Sequence, residues 1–190
     1  MGVAGGKPES KLTPPPIHAL RGIPDDKEFL SQLAHSIGFL ALQFGLFEFS
    51  LNGGITIIHE YVGQPIKDGG SLPYNLGDRL RYLNRAMKTF SPLAPFAEEG
   101  LFLVGLARLL VKTRNGVLHS YPADYEEATE TLTFLSMRPD SPDNTMHREN
   151  RFIISLSALA QHGTKAEVLA GRMGDLSHRL FDALAASSDF

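Results

Sequence analysis

The sequence predicts a mainly α fold: an up-and-down bundle of about four main helices, with a small antiparallel β-hairpin before the C-terminal helix. Three observations support this prediction. Apolar residues recur every three or four positions over long runs, proline and glycine stand at the ends of those runs, and one stretch alternates loosely around a turn-rich segment. With 190 residues, 43% of them hydrophobic, the chain can bury a sizeable core.

Composition excludes several classes of protein. The chain has no cysteine, which excludes disulfides, thiolate metal sites and a cysteine nucleophile. Its 18 Lys and Arg against 21 Asp and Glu exclude a globally basic nucleic-acid binder, although a local basic patch stays open. Residues 1–23 are rich in Gly and Pro and have no apolar signal segment, so we expect a flexible leader. The longest apolar stretch, 37–49, is too short to span a bilayer, and we expect a cytoplasmic protein with no membrane partner.

The first helix is predicted to begin after Pro24, with Asp25 as its N-cap and Glu28 at the capping-box position. Apolar residues then lie on one face for more than thirty positions, until Gly63 and Pro65 end the run. Within this helix Glu48 interrupts the apolar stripe. It either pairs with an arginine across the bundle, with Arg114 as the candidate, or lies at the edge of the stripe, and we favour the edge.

Two further helices follow. The second begins near Asn75, with Asp78 three residues later as its capping partner. The third begins at or just before Pro95. Between 101 and 111 it is apolar nearly all round, so we expect it to be the central and most buried helix.

The last part of the chain changes in character. Residues 128–155 contain two Thr- and Ile-bearing runs around the turn-rich segment 140–144, which predicts the β-hairpin. A final helix is predicted from about Ser157 to Ala186. Residues 24–190 are therefore expected to form one helical domain.

Positive charge is concentrated before the hairpin. From 67 to 119 there are eight Lys or Arg residues and four Asp or Glu residues, whereas from 120 to 144 there are one and six. Helical spacing places basic side chains on one face of the second helix and on one face of the third. Either these residues follow the phosphates of a nucleic acid, or they form ordinary solvated helix faces, which we favour. The nucleic-acid-binding candidates are Arg81, Arg85, Lys88, Arg108 and Lys112.

The residues that could carry chemistry stand at the end of the third helix. A helix through Arg114-Asn115-x-x-x-His119 would place Asn115 and His119 on one face. An imidazole can move protons near neutral pH, and a guanidinium can hold a phosphoryl group that gains negative charge. Asn115 could orient either group. These three residue types suffice for metal-independent cleavage of RNA by internal transesterification, and we expect no cofactor and no metal.

Arg114-Asn115-Gly116-Val117-Leu118-His119 resembles the Arg-polar-x-x-x-His motif of the HEPN (higher eukaryotes and prokaryotes nucleotide-binding) family, whose domains are helical bundles with this motif at the end of a buried helix. The resemblance covers roughly residues 26–185 in layout. It implies a ribonuclease of the toxin or defence kind, acting as a homodimer in which two motifs face each other, with RNA as substrate and an antitoxin or other protein as partner. Arg114 and His119 would be catalytic, with Asn115 as the accessory polar residue.

One departure leaves an alternative open. Gly116 is a poor helix former inside the motif, and the basic residues before it are typical of a helix C-terminus. If the helix ended there, His119 would lie in a loop away from Arg114. The chain would then be a non-catalytic helical scaffold for dimerisation or for a protein partner. A nuclease requires the helix to continue through Gly116.

Overall fold

The computed structural model describes residues 22–61, 72–139 and 147–186. It contains four main helices: α1 (Lys27–Tyr61), α2 (Leu76–Thr89), α3 (Ala97–Leu118) and α4 (Leu156–Ala186). Three strands, β1 (Tyr121–Glu126), β2 (Thr131–Pro139) and β3 (His147–Ser155), form one antiparallel sheet between α3 and α4. The predicted class, mainly α with four helices and a small antiparallel element before the last helix, is confirmed.

Hydrogen bonds from capping side chains mark the first residues of α1 and α2. The Asn75 side chain caps α2 by accepting a hydrogen bond from the Asp78 N–H at 2.9 Å, as predicted. At the start of α1 the prediction is off by one residue, because the Asp26 carboxylate accepts the hydrogen bond from the Glu28 N–H. A 3₁₀ helix over Ser91–Phe96 precedes α3, so the α-helix begins just after Pro95.

The direction of the helices differs from a strict up-and-down bundle, in which the first and fourth helices run oppositely. Phe39 packs at Gly163, the Ser177 hydroxyl donates to the Ser50 carbonyl oxygen, and Tyr61 packs edge-on against Phe181. Positions along α1 and α4 therefore increase together, and these two helices run parallel. The pairing is close because Gly163 has no Cβ to separate the helices, and α1 and α4 make the largest interface between helices.

The sheet has one strand more than predicted. β2 and β3 pair from Thr131–Ser155 to Pro139–His147, which confirms the hairpin, while its turn segment 140–144 lies outside the described residues. β1 was missed because its sequence, YPADYE, combines a proline with two carboxylates and does not alternate in polarity. Gly22 bridges to Asp124 beside this strand, and Ile23 is buried. The two last residues of the predicted leader therefore belong to the fold, and the remainder of the leader lies outside the described residues.

Helix α3 contributes one face to the core. The largest buried side chains include Phe44 and Phe47 of α1 and Phe134 of β2, so the core lies between α1, α4, one face of α3 and the sheet. On the outer side of α3, Phe102 and Leu109 are 53% and 74% exposed. Helix α3 is thus apolar on its exposed side as well as on its buried side.

Helix α1 is long and apolar enough to cross a membrane by length and composition, the one such helix in the described ranges. Only 28% of its most apolar window is buried. Between Glu28 and Glu60 its one Asp, Glu, Lys or Arg residue is Glu48. The core helix of a soluble protein passes the same test, so this observation alone does not assign a location.

Candidate functional site

The motif lies on a continuous helix. Helix α3 runs through Gly116 to Leu118, and the N–H of the capping residue His119 donates to the Asn115 carbonyl oxygen at 3.3 Å. The alternative in which the helix ends near Asn115 is therefore wrong. Glycine stands at 116 for a packing reason: a Cβ there would lie 2.6 and 2.7 Å from Cδ1 and Cδ2 of Phe152, which packs from β3 directly onto the helix backbone.

Arg114 is the centre of a small polar cluster. Its Nη1 donates to Asn115 Oδ1 at 3.0 Å and to His119 Nε2 at 3.1 Å. The long guanidinium side chain bridges the angular separation between positions 114 and 119 of the helix, as the motif requires. Arg114 is therefore within hydrogen-bonding distance of the side chains of both other residues predicted to be catalytic. The Arg114 side chain is one-quarter exposed (25%), and His119 is exposed at the helix end.

The contact between Arg114 and His119 is compatible with one tautomer of the neutral imidazole. A guanidinium has donors and no acceptor, so His119 Nε2 must carry its lone pair in this arrangement and the ring proton lies on Nδ1. An imidazole in that tautomer can accept a proton at Nε2. The accepting atom lies beside the positive charge that would hold a phosphoryl oxygen, which is the arrangement a general base needs in phosphoryl transfer.

Glu48 completes the cluster from across the bundle. Its Oε1 accepts a hydrogen bond from Arg114 Nη2 at 3.2 Å, and both side chains are about one-quarter exposed. The favoured prediction that Glu48 only lies at the edge of the apolar stripe is wrong, because α1 passes the end of α3 at this point. The Nε of Arg114 is buried and has no hydrogen-bond partner among the described residues.

A polar groove lies next to the cluster, between the end of α3 and the sheet. It has a volume of about 260 Å³ and contains side chains from both elements. Asn115 belongs to the groove and to the Arg114 cluster alike, so the two are continuous. Ser136 and Asn150 are directly opposed in the sheet and share a face with the buried Phe134 and the partly buried Phe152, which means that this face turns polar as it leaves the core. The lining residues are Lys112, Asn115, Gly116, Ser120, Ser136, Asn150, Arg151 and Phe152.

The predicted basic residues separate into two groups. Arg108 and Lys112 are exposed on α3, one turn apart, and Lys112 lines the groove. Arg81, Arg85 and Lys88 are exposed on α2.

Within the second group, Lys88 lies far from the cluster. The end of α2 meets the start of α3, where Met87 packs on Gly100. From Gly100 to Arg114 the helix rises about 21 Å at 1.5 Å per residue. Arg81 is also paired with Asp78. The structure therefore brings the α3 basic residues to the cluster and leaves Lys88 at the other end of α3.

Two ionisable groups between α3 and α4 have perturbed pKa values. Burial lowers the pKa of His162 below its ordinary value of 6.5, helped by the nearby Lys165, and the His162 Nδ1 lies 2.7 Å from the Thr113 hydroxyl. The hydrogen bond from Arg179, with a further one from Arg172, lowers the pKa of Glu99. Both groups join α3 to α4 and act in the packing of those helices. The described residues contain no group of three or more His, Asp or Glu side chains placed to hold a metal ion.

Sequence reasoning missed the groove, and it gave the pairing of Glu48 with Arg114 only as the less favoured alternative. Glu48 is the lone charge in an otherwise uncharged segment of α1, and that isolation is the signal that favours a buried partner over the edge of the stripe. No comparable signal exists for Ser136 and Asn150, because their position depends on the register of a hairpin.

Comparison with protein-family models, with curated proteins and with solved structures finds no match to this chain.

Proposed function

We propose that the protein is a HEPN-like, metal-independent endoribonuclease. One observation carries the proposal: Arg114 Nη1 lies 3.1 Å from His119 Nε2 and 3.0 Å from Asn115 Oδ1 at the open end of a helix. The motif resemblance supports the family, and the geometry of the three side chains supports the chemistry.

The roles follow from the residue types. Arg114 holds the non-bridging oxygens of the scissile phosphate, and Asn115 orients the guanidinium. His119 accepts the proton of the ribose 2′-hydroxyl at Nε2 while the 2′-oxygen bonds to phosphorus and the bond to the 5′-oxygen breaks. His119 then returns the proton to the departing 5′-oxygen. The products are a 2′,3′-cyclic phosphate and a 5′-hydroxyl.

The proposal includes a homodimer in the cytoplasm. The outward face of α1 carries Leu42, Leu46 and Phe49 at helical spacing, and Leu42 and Phe49 are 59% and 78% exposed. Phe49 directly follows Glu48, so this apolar face borders the Arg114 cluster. A second copy seated there would bring two clusters to one interface. An antitoxin-like protein that covers the same face is the other partner we consider.

A non-catalytic scaffold is the second candidate function, and the Glu48 ion pair favours it. Glu48 already neutralises the guanidinium, so the cluster satisfies itself and could serve only to fasten α1 to α3. In the nuclease, by contrast, an incoming phosphate competes with Glu48 for Arg114.

The test is cleavage of a mixed RNA pool by the purified protein in EDTA, with end-group analysis. Wild type is expected to leave 2′,3′-cyclic phosphate ends, and His119→Ala and Arg114→Ala are each expected to abolish cleavage. His178→Ala is the matched control, because this exposed histidine on α4 belongs to no site described above. Circular dichroism checks that each variant folds. Full activity in either motif variant refutes the roles, and folded wild-type protein that cleaves no RNA favours the scaffold.

A further inference from the structure

We infer that the groove between the end of α3 and the sheet binds the nucleotide next to the scissile phosphate, and that the RNA strand leaves the site along Lys112 and Arg108 rather than over α2. This inference rests on the proposed function and assigns to it a substrate path and a binding subsite. It concerns single-stranded RNA.

Continuity with the cluster is the first argument. Asn115 lines the groove and accepts the hydrogen bond from Arg114. A phosphate held by Arg114 therefore has its neighbouring ribose and base at the mouth of the groove. At about 260 Å³ the groove lies just below the roughly 300–1,000 Å³ of small-molecule pockets, which suits a single nucleotide unit.

The chemistry of the lining is the second argument. Lys112 supplies a cation, and Ser120, Ser136 and Asn150 supply neutral donors and acceptors for a ribose or a base edge. Among the described residues, none that lines the groove carries a carboxylate. The one acidic residue on the same stretch of β3, Glu149, accepts a hydrogen bond from Arg151 at 2.8 Å, which offsets its charge.

The path out of the groove is the third argument. Arg108 precedes Lys112 by one turn of α3, and both are exposed. They therefore form a short cationic track that starts at the groove. Lys88 on α2 has no such continuity, since it lies about 21 Å along the bundle from Arg114 by helical rise.

The experiment measures binding of a fluorescein-labelled single-stranded RNA by fluorescence anisotropy at several salt concentrations. The His119→Ala protein is the background for every variant, so that RNA is bound and not cleaved. Lys112→Gln and Asn150→Ala test the groove. Lys88→Gln makes the same charge change on the rival path over α2.

One single-strand phosphate contact contributes about 0.7 to the salt slope, which is about fivefold in affinity at 0.1 M salt. Lys112→Gln is therefore expected to weaken binding about fivefold and to reduce the salt slope by about 0.7. Asn150→Ala is expected to weaken binding with an unchanged slope, because its side chain is neutral. Lys88→Gln is expected to change neither quantity.

Two results would overturn the inference alone: tight binding that neither groove variant weakens, or a loss in Lys88→Gln that equals the loss in Lys112→Gln. Both would leave the ribonuclease proposal intact. If the background protein binds no RNA at all, the inference and the RNA-directed function are both refuted. Because Lys112 is exposed, its substitution is not expected to unfold the protein, and circular dichroism checks this.

Discussion

Replacing Gly116 with alanine is the most direct test of how the motif is built. A Cβ at this position would lie 2.6 Å from Cδ1 and 2.7 Å from Cδ2 of Phe152. Carbon atoms in ordinary contact are about 3.5–4.0 Å apart, so the ring must retreat by roughly 1 Å. Retreat is restricted because Phe152 also packs against Phe134 in the sheet.

Two opposing effects set the magnitude. Glycine to alanine inside a helix gains about 1 kcal/mol from backbone propensity, while overpacking a tight contact costs about 1–3 kcal/mol. Gly105 in the same helix isolates the first effect, because a Cβ there meets nothing within 4 Å. Gly105→Ala is therefore expected to raise the free energy of unfolding by about 1 kcal/mol. Gly116→Ala is expected to be about 1–3 kcal/mol less stable than Gly105→Ala.

Urea denaturation measures both variants against wild type, and thermal melting gives a second reading at about 2–4 °C per kcal/mol for a chain of this size. The double variant Gly116→Ala with Phe152→Ala should lose less stability than the two single variants together, since alanine lacks the Cγ, Cδ1 and Cδ2 atoms nearest to the new methyl group. If Gly116→Ala were as stable as Gly105→Ala, the close packing of Phe152 on α3 would be refuted, and with it the explanation for glycine inside the motif.

Two further predictions concern the packing of α3 and the outward face of α1. Burial lowers the folded-state pKa of His162 below 6.5, so the unfolded chain binds protons more readily and the free energy of unfolding falls as pH decreases below about 6.5. His162→Gln should flatten this part of the stability–pH curve, and an unchanged curve contradicts the lowered pKa of His162. If the protein forms the proposed dimer, Phe49→Glu should convert it to a monomer in light scattering, whereas Leu109→Glu, which alters an exposed leucine on α3, should not. A wild-type protein that is monomeric at all concentrations refutes this interface.

Periodicity predicts most of the helices well because their ends are marked locally. Asn75 and Pro95 fix the starts of α2 and α3 within two residues, since capping bonds and a missing N–H act on the nearest turn of backbone. The hairpin is predicted for the same reason. The direction of α4 relative to α1 depends instead on contacts between residues more than 120 positions apart, such as Ser50 with Ser177, which no local pattern records.

Part of the candidate site can likewise be predicted from local sequence, and part depends on contacts between distant residues. Arg114, Asn115 and His119 are neighbours in sequence, so one helix and the length of the arginine side chain are enough to bring Arg114 to the other two. Glu48 reaches Arg114 only because α1 crosses the end of α3. At Gly116 the sequence favours a helix end, and a tertiary contact with Phe152 overrides that propensity.

The parallel pairing of the first and last helices also bears on synthesis of the protein. Helix α1 finds its largest partner in α4, the last helix along the described chain, so a nascent chain exposes the apolar side of α1 until the final helix has left the ribosome. Because α1 packs on α4 only at the end of synthesis, premature termination leaves the core incomplete. A fragment that ends before Leu156 leaves Phe44 and Phe47 without part of their core. We expect such fragments to aggregate or to require a chaperone, while full-length chains bury this surface in a single late step.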